Sequence, residues 1–374
     1  MAEKFSLKDH LFNAEKVTML AQQIHTVFPD FKTEKFISST LTLFPTLELK
    51  QRIAHMASML KEYLRHEYPH AIGIILEALP EKNDPTKTDN DYGDFIYAPY
   101  GEFVARYGRE KEYLKISLHA LKEITMRFSM EDSIRNFINE FPEETYAELL
   151  KWSKDPNYHL RRLASEGTRP KLPWSQKITV LTEKTLPILE NLYIDSTRYV
   201  TRSVANHLND LSKIDPELVV NTLKKWQQSG KQTKSEMSYI TLHALRTLIK
   251  QGYPDAFTLL GYASSSISIK DFSVSSHVSM NEYLEFSFTL TPTIDERIII
   301  DYKIDFQNKK GEMKSKKIFK LKKIDLHKGQ STKVVKKHIM REFMTTRTLY
   351  PGIHRLSLVI NGNLMKTQEF ELTR

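Results

Sequence analysis

Two stretches of this chain superimpose when one is shifted by forty positions: Asp155-Pro-Asn-Tyr-His-Leu-Arg-Arg-Leu-Ala-Ser-Glu166 and Asp195-Ser-Thr-Arg-Tyr-Val-Thr-Arg-Ser-Val-Ala-Asn-His-Leu-Asn-Asp210. The shift sets Asp155 on Asp195, Leu160 on Val200, Arg162 on Arg202, Leu163 on Ser203 and Glu166 on Asn206. A period of about 40–47 residues with two helices per unit is the HEAT-like pattern, in which each unit buries its apolar face only against its neighbours. The repeat predicts an α-helical solenoid. The polar positions inside it predict a site on one of its faces.

From about Ala14 to Tyr262 apolar residues recur at helical spacing, as in Ile53, Met56, Ala57, Leu60 and Leu64, with prolines as punctuation. The polar tract Glu81 to Asp94 has no apolar residue to bury before Tyr92, so it reads as a loop, and no function is assigned to it. Near Ala263 to Ser266 the period drops from about 3.6 to about 2. Ser266 to Lys270, Leu284 to Leu290, Ile298 to Phe306, Lys317 to Leu321, His354 to Ile360 and Gln368 to Leu372 alternate apolar with polar residues, and Asn361-Gly362 is a hairpin turn. The expected fold is therefore mainly α: a HEAT-like solenoid over 1–262, then an all-β immunoglobulin-like sandwich over 263–374.

Charge separates the two parts. Residues 263–374 hold 20 Lys+Arg against 12 Asp+Glu, and nearly all of the net +9 lies there, densest from Lys309 to Arg347. Such an excess suits a polyanion and fits a lysine-coated soluble surface equally well; on the first reading the C-terminal part is an accessory surface for nucleic acid. The absence of cysteine excludes disulfides, thiolate zinc sites and cysteine nucleophiles. No apolar run approaches the ~18 residues that span a bilayer and no leader follows Met1, so the expected place is the cytoplasm.

Gly-rich phosphate loops and the Gly-x-Ser-x-Gly elbow are both missing. His66-Glu-Tyr-Pro-His70 matches a zinc pattern in letters only, because Pro69 breaks the helix that would align the two imidazoles; the expectation is one helix ending near Glu67 and another starting at Pro69. Arg202, Asn206 and Asp210 stand four apart on one helix stripe, and Arg162 and Glu166 form the equivalent stripe one unit earlier. Gly167 follows as a helix C-cap, and Pro170 and Pro173 stiffen the loop that delivers Trp174.

Arg161-Arg-Leu-Ala-Ser-Glu-Gly-Thr-Arg-Pro-Lys-Leu-Pro-Trp174 and Arg202-Ser-Val-Ala-Asn-His-Leu-Asn-Asp210 resemble the two signature segments of the bacterial AlkC-type alkylpurine DNA glycosylases, HEAT-like relatives of AlkD. The resemblance extends to Phe103-Val-Ala-Arg-Tyr-Gly108, to Ser117 through Glu131 and to Pro142-Glu-Glu-Thr145; some members also carry an immunoglobulin-like domain after the repeats. Where the family usually reads Glu-Phe-Ala-Ile-Arg-Pro, this chain has Glu131-Asp-Ser-Ile-Arg-Asn136, and Asp132 there is an alternative helix N-cap.

The resemblance implies hydrolysis of the N-glycosidic bond of a cationic alkylated base, 3-methyladenine or 3-methylcytosine, without turning the base into a deep pocket. It implies Asp210, Glu131 and Glu166 as carboxylates that meet charge on the sugar or orient water, and Trp174 and Asn206 as neighbours of the lesion. Arg161, Arg162, Arg169, Lys171, Arg198 and Arg202 are the candidates for phosphate contact. The implied partner is double-stranded DNA bound by a monomer, with neither metal nor organic cofactor. From a different class, a non-catalytic repeat scaffold for nucleic acid or protein fits the same pattern.

Overall fold

A computed structural model describes residues 6–87, 92–179, 181–262, 267–313, 315–344 and 347–374. Contacts divide the chain into two units, Met1–Leu211 with Trp226–Ala244, and Ser212–Lys225 with Leu245–Arg374. The helices are α1 (Leu7–Leu11), α2 (Ala14–Val27), α3 (Thr33–Leu43), α4 (Leu49–Leu64), α5 (Tyr68–Glu77), α6 (Ala98–Tyr107), α7 (Leu114–Thr125) and α8 (Ile134–Glu140). They continue as α9 (Pro142–Trp152), α10 (Tyr158–Glu166), α11 (Thr182–Leu192), α12 (Arg198–Leu211), α13 (Pro216–Ser229), α14 (Lys234–Ala244), α15 (Arg246–Gln251) and α16 (Pro254–Leu259).

Local chemistry explains many helix ends. The Asn13 side chain accepts from Lys16 N to cap α2, Glu48 and Gln51 close a capping box on α4, and proline sits in the first turn of α5, α6, α9 and α16. The forty-residue shift is visible in the backbone. Asp155 Oδ1 accepts from Asn157 N at 2.9 Å ahead of α10, and Asp195 Oδ1 accepts from Thr197 N at 2.8 Å ahead of α12. Each turn feeds a helix whose apolar side, Leu160 and Leu163 in one and Val200, Val204 and Leu208 in the other, is fully buried. α10 packs on α12, and α12 packs on α14.

Ion pairs join the successive units. Lys122 of α7 meets Asp155 at 2.9 Å, Arg161 of α10 meets Asp195 at 2.5 Å, and Arg198 of α12 meets Glu236 of α14 at 2.5 Å. The break around the zinc-like pattern falls slightly earlier than expected, with α4 ending at Leu64, Arg65 in the left-handed region at φ 52°, and α5 opening at Tyr68. The His66 and His70 rings stack 4.1 Å apart. Parallel rings do not converge on one ion, and no group of three or more His, Cys, Asp or Glu among the described residues is placed to hold a metal. No helix among them is long and apolar enough to cross a membrane.

The second unit is built on strands β1 (Ile267–Val274), β2 (His277–Ser279), β3 (Tyr283–Pro292), β4 (Glu296–Phe306), β5 (Ser315–Leu326), β6 (Thr332–Ile339), β7 (Phe343–Met344), β8 (Arg347–Thr348), β9 (Gly352–Ile360) and β10 (Asn363–Thr373). One sheet runs β1-β3-β6, a second β2-β10-β9-β4-β5, and β7 with β8 forms a small hairpin. Phe286, Phe288, Tyr302, Leu356, Leu358 and Phe370 belong to one buried cluster between the two larger sheets. Asn361 and Gly362, at φ 47° and 81°, make the turn between β9 and β10, as the Asn-Gly pair predicts. Strands β2, β6, β7 and β8 have too little alternation to read from sequence. Edge strand β5 carries exposed Lys316, Lys317, Lys320, Lys322 and Lys323.

The expected switch at Ala263 to Ser266 lies outside the described residues, as do positions 88–91 of the polar tract. The units divide earlier than 262, because Phe257 and Tyr262 bury themselves in a cluster with Ile299 of β4, so the last helical residues belong with the strands.

Candidate active site

The repeat places Arg162 and Glu166 on α10 and Arg202, Asn206 and Asp210 on α12, and the loop after α10 supplies Arg169. These elements build an alternating row of charge. Arg162 Nη1 donates to Glu131 Oε2 at 2.7 Å, and its Nη2 lies 3.8 Å from Glu166 Oε1. Arg169 Nη1 donates to Glu166 Oε1 at 2.5 Å, and Arg169 Nη2 stands 2.8 Å from Asp210 Oδ2. The row is Glu131, Arg162, Glu166, Arg169, Asp210, so these five groups hold one more negative than positive charge.

Burial separates the three acids. Glu166 and Asp210 are each 5% exposed, whereas the Glu131 side chain is 26% exposed. Glu131 Oε2 takes the bonds from Arg162 and from the Ser129 hydroxyl; Oε1 accepts no hydrogen bond among the described residues. Ser203 donates to Glu166 Oε2 at 2.6 Å. Burial works against charge on Glu166, but the two guanidiniums and Ser203 outweigh it and hold the carboxyl below its usual range. Burial likewise opposes charge on Arg162, and the Glu131 and Glu166 carboxylates more than restore it; for Arg169 the same is done by Glu166 and Asp210.

Several supports escape a reading of the sequence. Arg162 lies beneath two rings, its Cζ 4.7 Å from the Tyr199 centroid and 5.6 Å from that of Tyr92. His207 is fully buried, with Nδ1 3.0 Å from the Ser165 carbonyl, and burial pulls its imidazole down to about 4 against the pull of that carbonyl. Arg135 of α8 donates to the carbonyls of Gly167, Arg169 and Gln176 at 3.0, 2.8 and 2.7 Å, fastening the loop that carries Arg169 and Trp174. Lys50 bonds both the Trp174 carbonyl and Asp132, which ties that loop to the turn bearing Glu131. Asp132 thus pairs with a lysine and caps no helix.

Trp174 is 90% exposed and sits at φ 66°, in the left-handed region that costs a side-chain-bearing residue free energy. Gly167 does follow α10, but at φ −63°; glycine is needed there for space, since a Cβ would meet Ile134 Cγ2 at 2.6 Å. Asn206 Oδ1 lies 2.9 Å from His243 Nε2 of α14. Lys171 is exposed and Arg202 half-buried. Four of the arginines expected at phosphates also have carboxylate partners: Arg161 with Asp195, Arg198 with Glu236, and Arg162 and Arg169 within the acidic row. Helical spacing puts Arg161, Arg162 and Arg198 on helix faces but does not reveal an acid in a neighbouring unit.

Such a row presents fixed negative charge beside fixed donors, with the Glu131 side chain at its end partly exposed. An arrangement of this kind stabilises a positive centre or orients a water molecule without reorganising when charge develops.

Residues 102–246 match the family model described as DNA alkylation repair enzyme, and residues 268–374 match that of the C-terminal Ig-like domain of the uncharacterised protein YhaZ. YhaZ of Bacillus subtilis (strain 168) is 33% identical over 369 residues, covering 97% of this chain and 98% of that protein. Among solved structures, the Pseudomonas fluorescens alkylpurine DNA glycosylase AlkC bound to DNA containing an abasic site analog is 33% identical with a TM-score of 0.79, covering 99% of this chain and 100% of that one. The chain belongs to the DNA alkylation repair enzyme family, among the AlkC-like DNA glycosylases that end in an immunoglobulin-like domain.

Proposed function

We propose that this protein hydrolyses the N-glycosidic bond of cationic alkylated bases such as 3-methyladenine and 3-methylcytosine in double-stranded DNA, acting as a monomer without a cofactor. A base that carries positive charge departs neutral when the bond to C1′ breaks, so the enzyme has to meet the charge left on the sugar and deliver water to C1′. The observation that carries the reading is Glu131, whose Oε1 accepts nothing among the described residues and whose side chain reaches the surface at the end of a buried acidic row. Glu131 acts at the sugar or on the water. Glu166 and Asp210 keep the row negative from within.

Reaction without base extrusion is what the resemblance to the AlkC-type glycosylases implies for this chain. Exposed Trp174 and half-buried Asn206 border the lesion, and exposed Lys171 reaches a phosphate. The lysine row of β5 makes the second unit an accessory surface for the duplex. On this reading the protein works in the cytoplasm, on chromosomal DNA.

The test is incubation with methylated duplex DNA, scoring free base and abasic sites. Release by the intact protein and none by Glu131→Gln supports the reading. Binding of the duplex with no base released by the wild type favours a non-catalytic scaffold.

A further inference from the structure

The polar tract before α6, silent in the sequence, places one ring on the acidic row. Asn83 N donates to the Met126 carbonyl at 2.9 Å, Asp94 N donates to that of Arg127 at 3.2 Å, and Gly93 bridges Phe128. Gly93 is obligatory at this contact: its φ is 78°, and a Cβ would fall 1.8 Å from the Arg127 carbonyl oxygen. The anchoring strip 126–128 runs directly into Ser129 and Glu131. Tyr92, next to Gly93, is therefore held in register with the carboxylate proposed to act at the sugar.

Its ring meets Tyr199 edge-on, centroids 5.3 Å apart, and Arg162 lies close to both rings. Arg162 is 6% exposed while Tyr92 is 46% exposed, which makes the tyrosine the outer layer over the guanidinium. The Tyr92 hydroxyl makes no hydrogen bond among the described residues, so the ring face carries the contact. A cation under an aromatic face interacts more strongly when kept from water. The same exclusion strengthens Arg162's hold on Glu131 and Glu166.

Resting on the glycosylase reading above, we propose that Tyr92 is a positioning residue for the reaction: its π face holds Arg162 in a cation–π contact sheltered from solvent and thereby sets the aim of Glu131. The role acts through Arg162 and requires no contact with DNA.

The experiment compares full-length wild type, Tyr92→Ala, Tyr92→Leu, Tyr92→Phe and Glu131→Gln in single-turnover base release and in binding to lesion duplex. Tyr92→Ala is expected to slow release by about tenfold while affinity changes less than about twofold, and Tyr92→Phe to recover the wild-type rate. Tyr92→Leu keeps the bulk without the π face; should Tyr92→Ala fold poorly, a comparable slowing in a normally melting Tyr92→Leu supports the proposal. Unchanged release in Tyr92→Ala or Tyr92→Leu beside an inactive Glu131→Gln overturns it alone. So does a Tyr92→Phe as slow as Tyr92→Ala, which would credit the hydroxyl, or a loss confined to affinity, which would make Tyr92 a direct DNA contact. Wild-type release by Glu131→Gln instead removes the reading beneath it, and the proposal falls with that reading.

Discussion

Arg169 reaches Asp210 across forty-one positions of chain, with 2.8 Å between guanidinium and carboxylate and both side chains buried. Removing the charge of one partner strands the other, at a cost of about 3–5 kcal/mol. Asp210→Asn and Glu166→Gln are therefore expected to lower the melting temperature by several degrees as well as to impair base release. Glu131 is a quarter exposed, so Glu131→Gln should melt within a few degrees of wild type yet release base about a hundredfold more slowly or worse. Thermal melts beside single-turnover assays separate the cases; a Glu131→Gln enzyme of wild-type rate removes that residue from the chemistry.

Trp174 offers a contrast between stability and binding. At 90% exposure its removal uncovers almost nothing, so Trp174→Ala should leave stability within about 0.5 kcal/mol while weakening binding to lesion DNA by about 1–3 kcal/mol. Trp174→Gly relieves the left-handed backbone and is expected to be about 1 kcal/mol more stable than Trp174→Ala. Chemical unfolding and duplex titration of the two variants check both halves. Equal stabilities would mean that the backbone at 174 is unstrained.

The buried imidazole of His207 ties stability to pH. Its proton affinity falls from 6.5 to about 4 on folding, so between those values the unfolded chain binds the extra proton. Stability must then drop as pH falls from about 6.5 to about 4, by up to about 3 kcal/mol from this group. Glu166, depressed in the fold, loses stability in the same direction as acid protonates it. His207→Asn retains a donor for the Ser165 carbonyl and should flatten the change in unfolding free energy between about pH 7 and about pH 5. An unaltered slope in that variant would place the titration elsewhere.

Salt dependence tests the second unit without cutting it. Truncation near 262 would separate Phe257 and Tyr262 from Ile299, so charge substitution in the whole chain is the cleaner design. Changing Lys320, Lys322 and Lys323 of β5 to Gln is expected to lower the slope of log affinity against log salt by about 0.9 for each phosphate that is no longer neutralised. Slopes that coincide with wild type would show that this edge does not meet the duplex.

What the sequence revealed was whatever recurs. The forty-residue shift brought Asp155 and Asp195 to equivalent turns and put Arg162, Glu166 and Asp210 near one another, because helical periodicity encodes faces. Pairing across units was not legible: Arg161 finds Asp195 through stacking geometry that no local pattern records. Arg135 bonds three loop carbonyls, and backbone acceptors have no letter in a sequence. Tyr92 was missed because a single ring after a polar run has no period. The small strands β2, β7 and β8 are likewise too short to alternate.

The lysines of β5 have a second effect. An unpaired outer strand is a template on which another molecule can add its own, and like charges set along it repel such an addition. The five ammonium groups on that rim therefore discourage the protein from polymerising edge to edge. Neutralising three of the five to probe DNA binding also weakens that safeguard, so the glutamine variant should be the first to show concentration-dependent clumping.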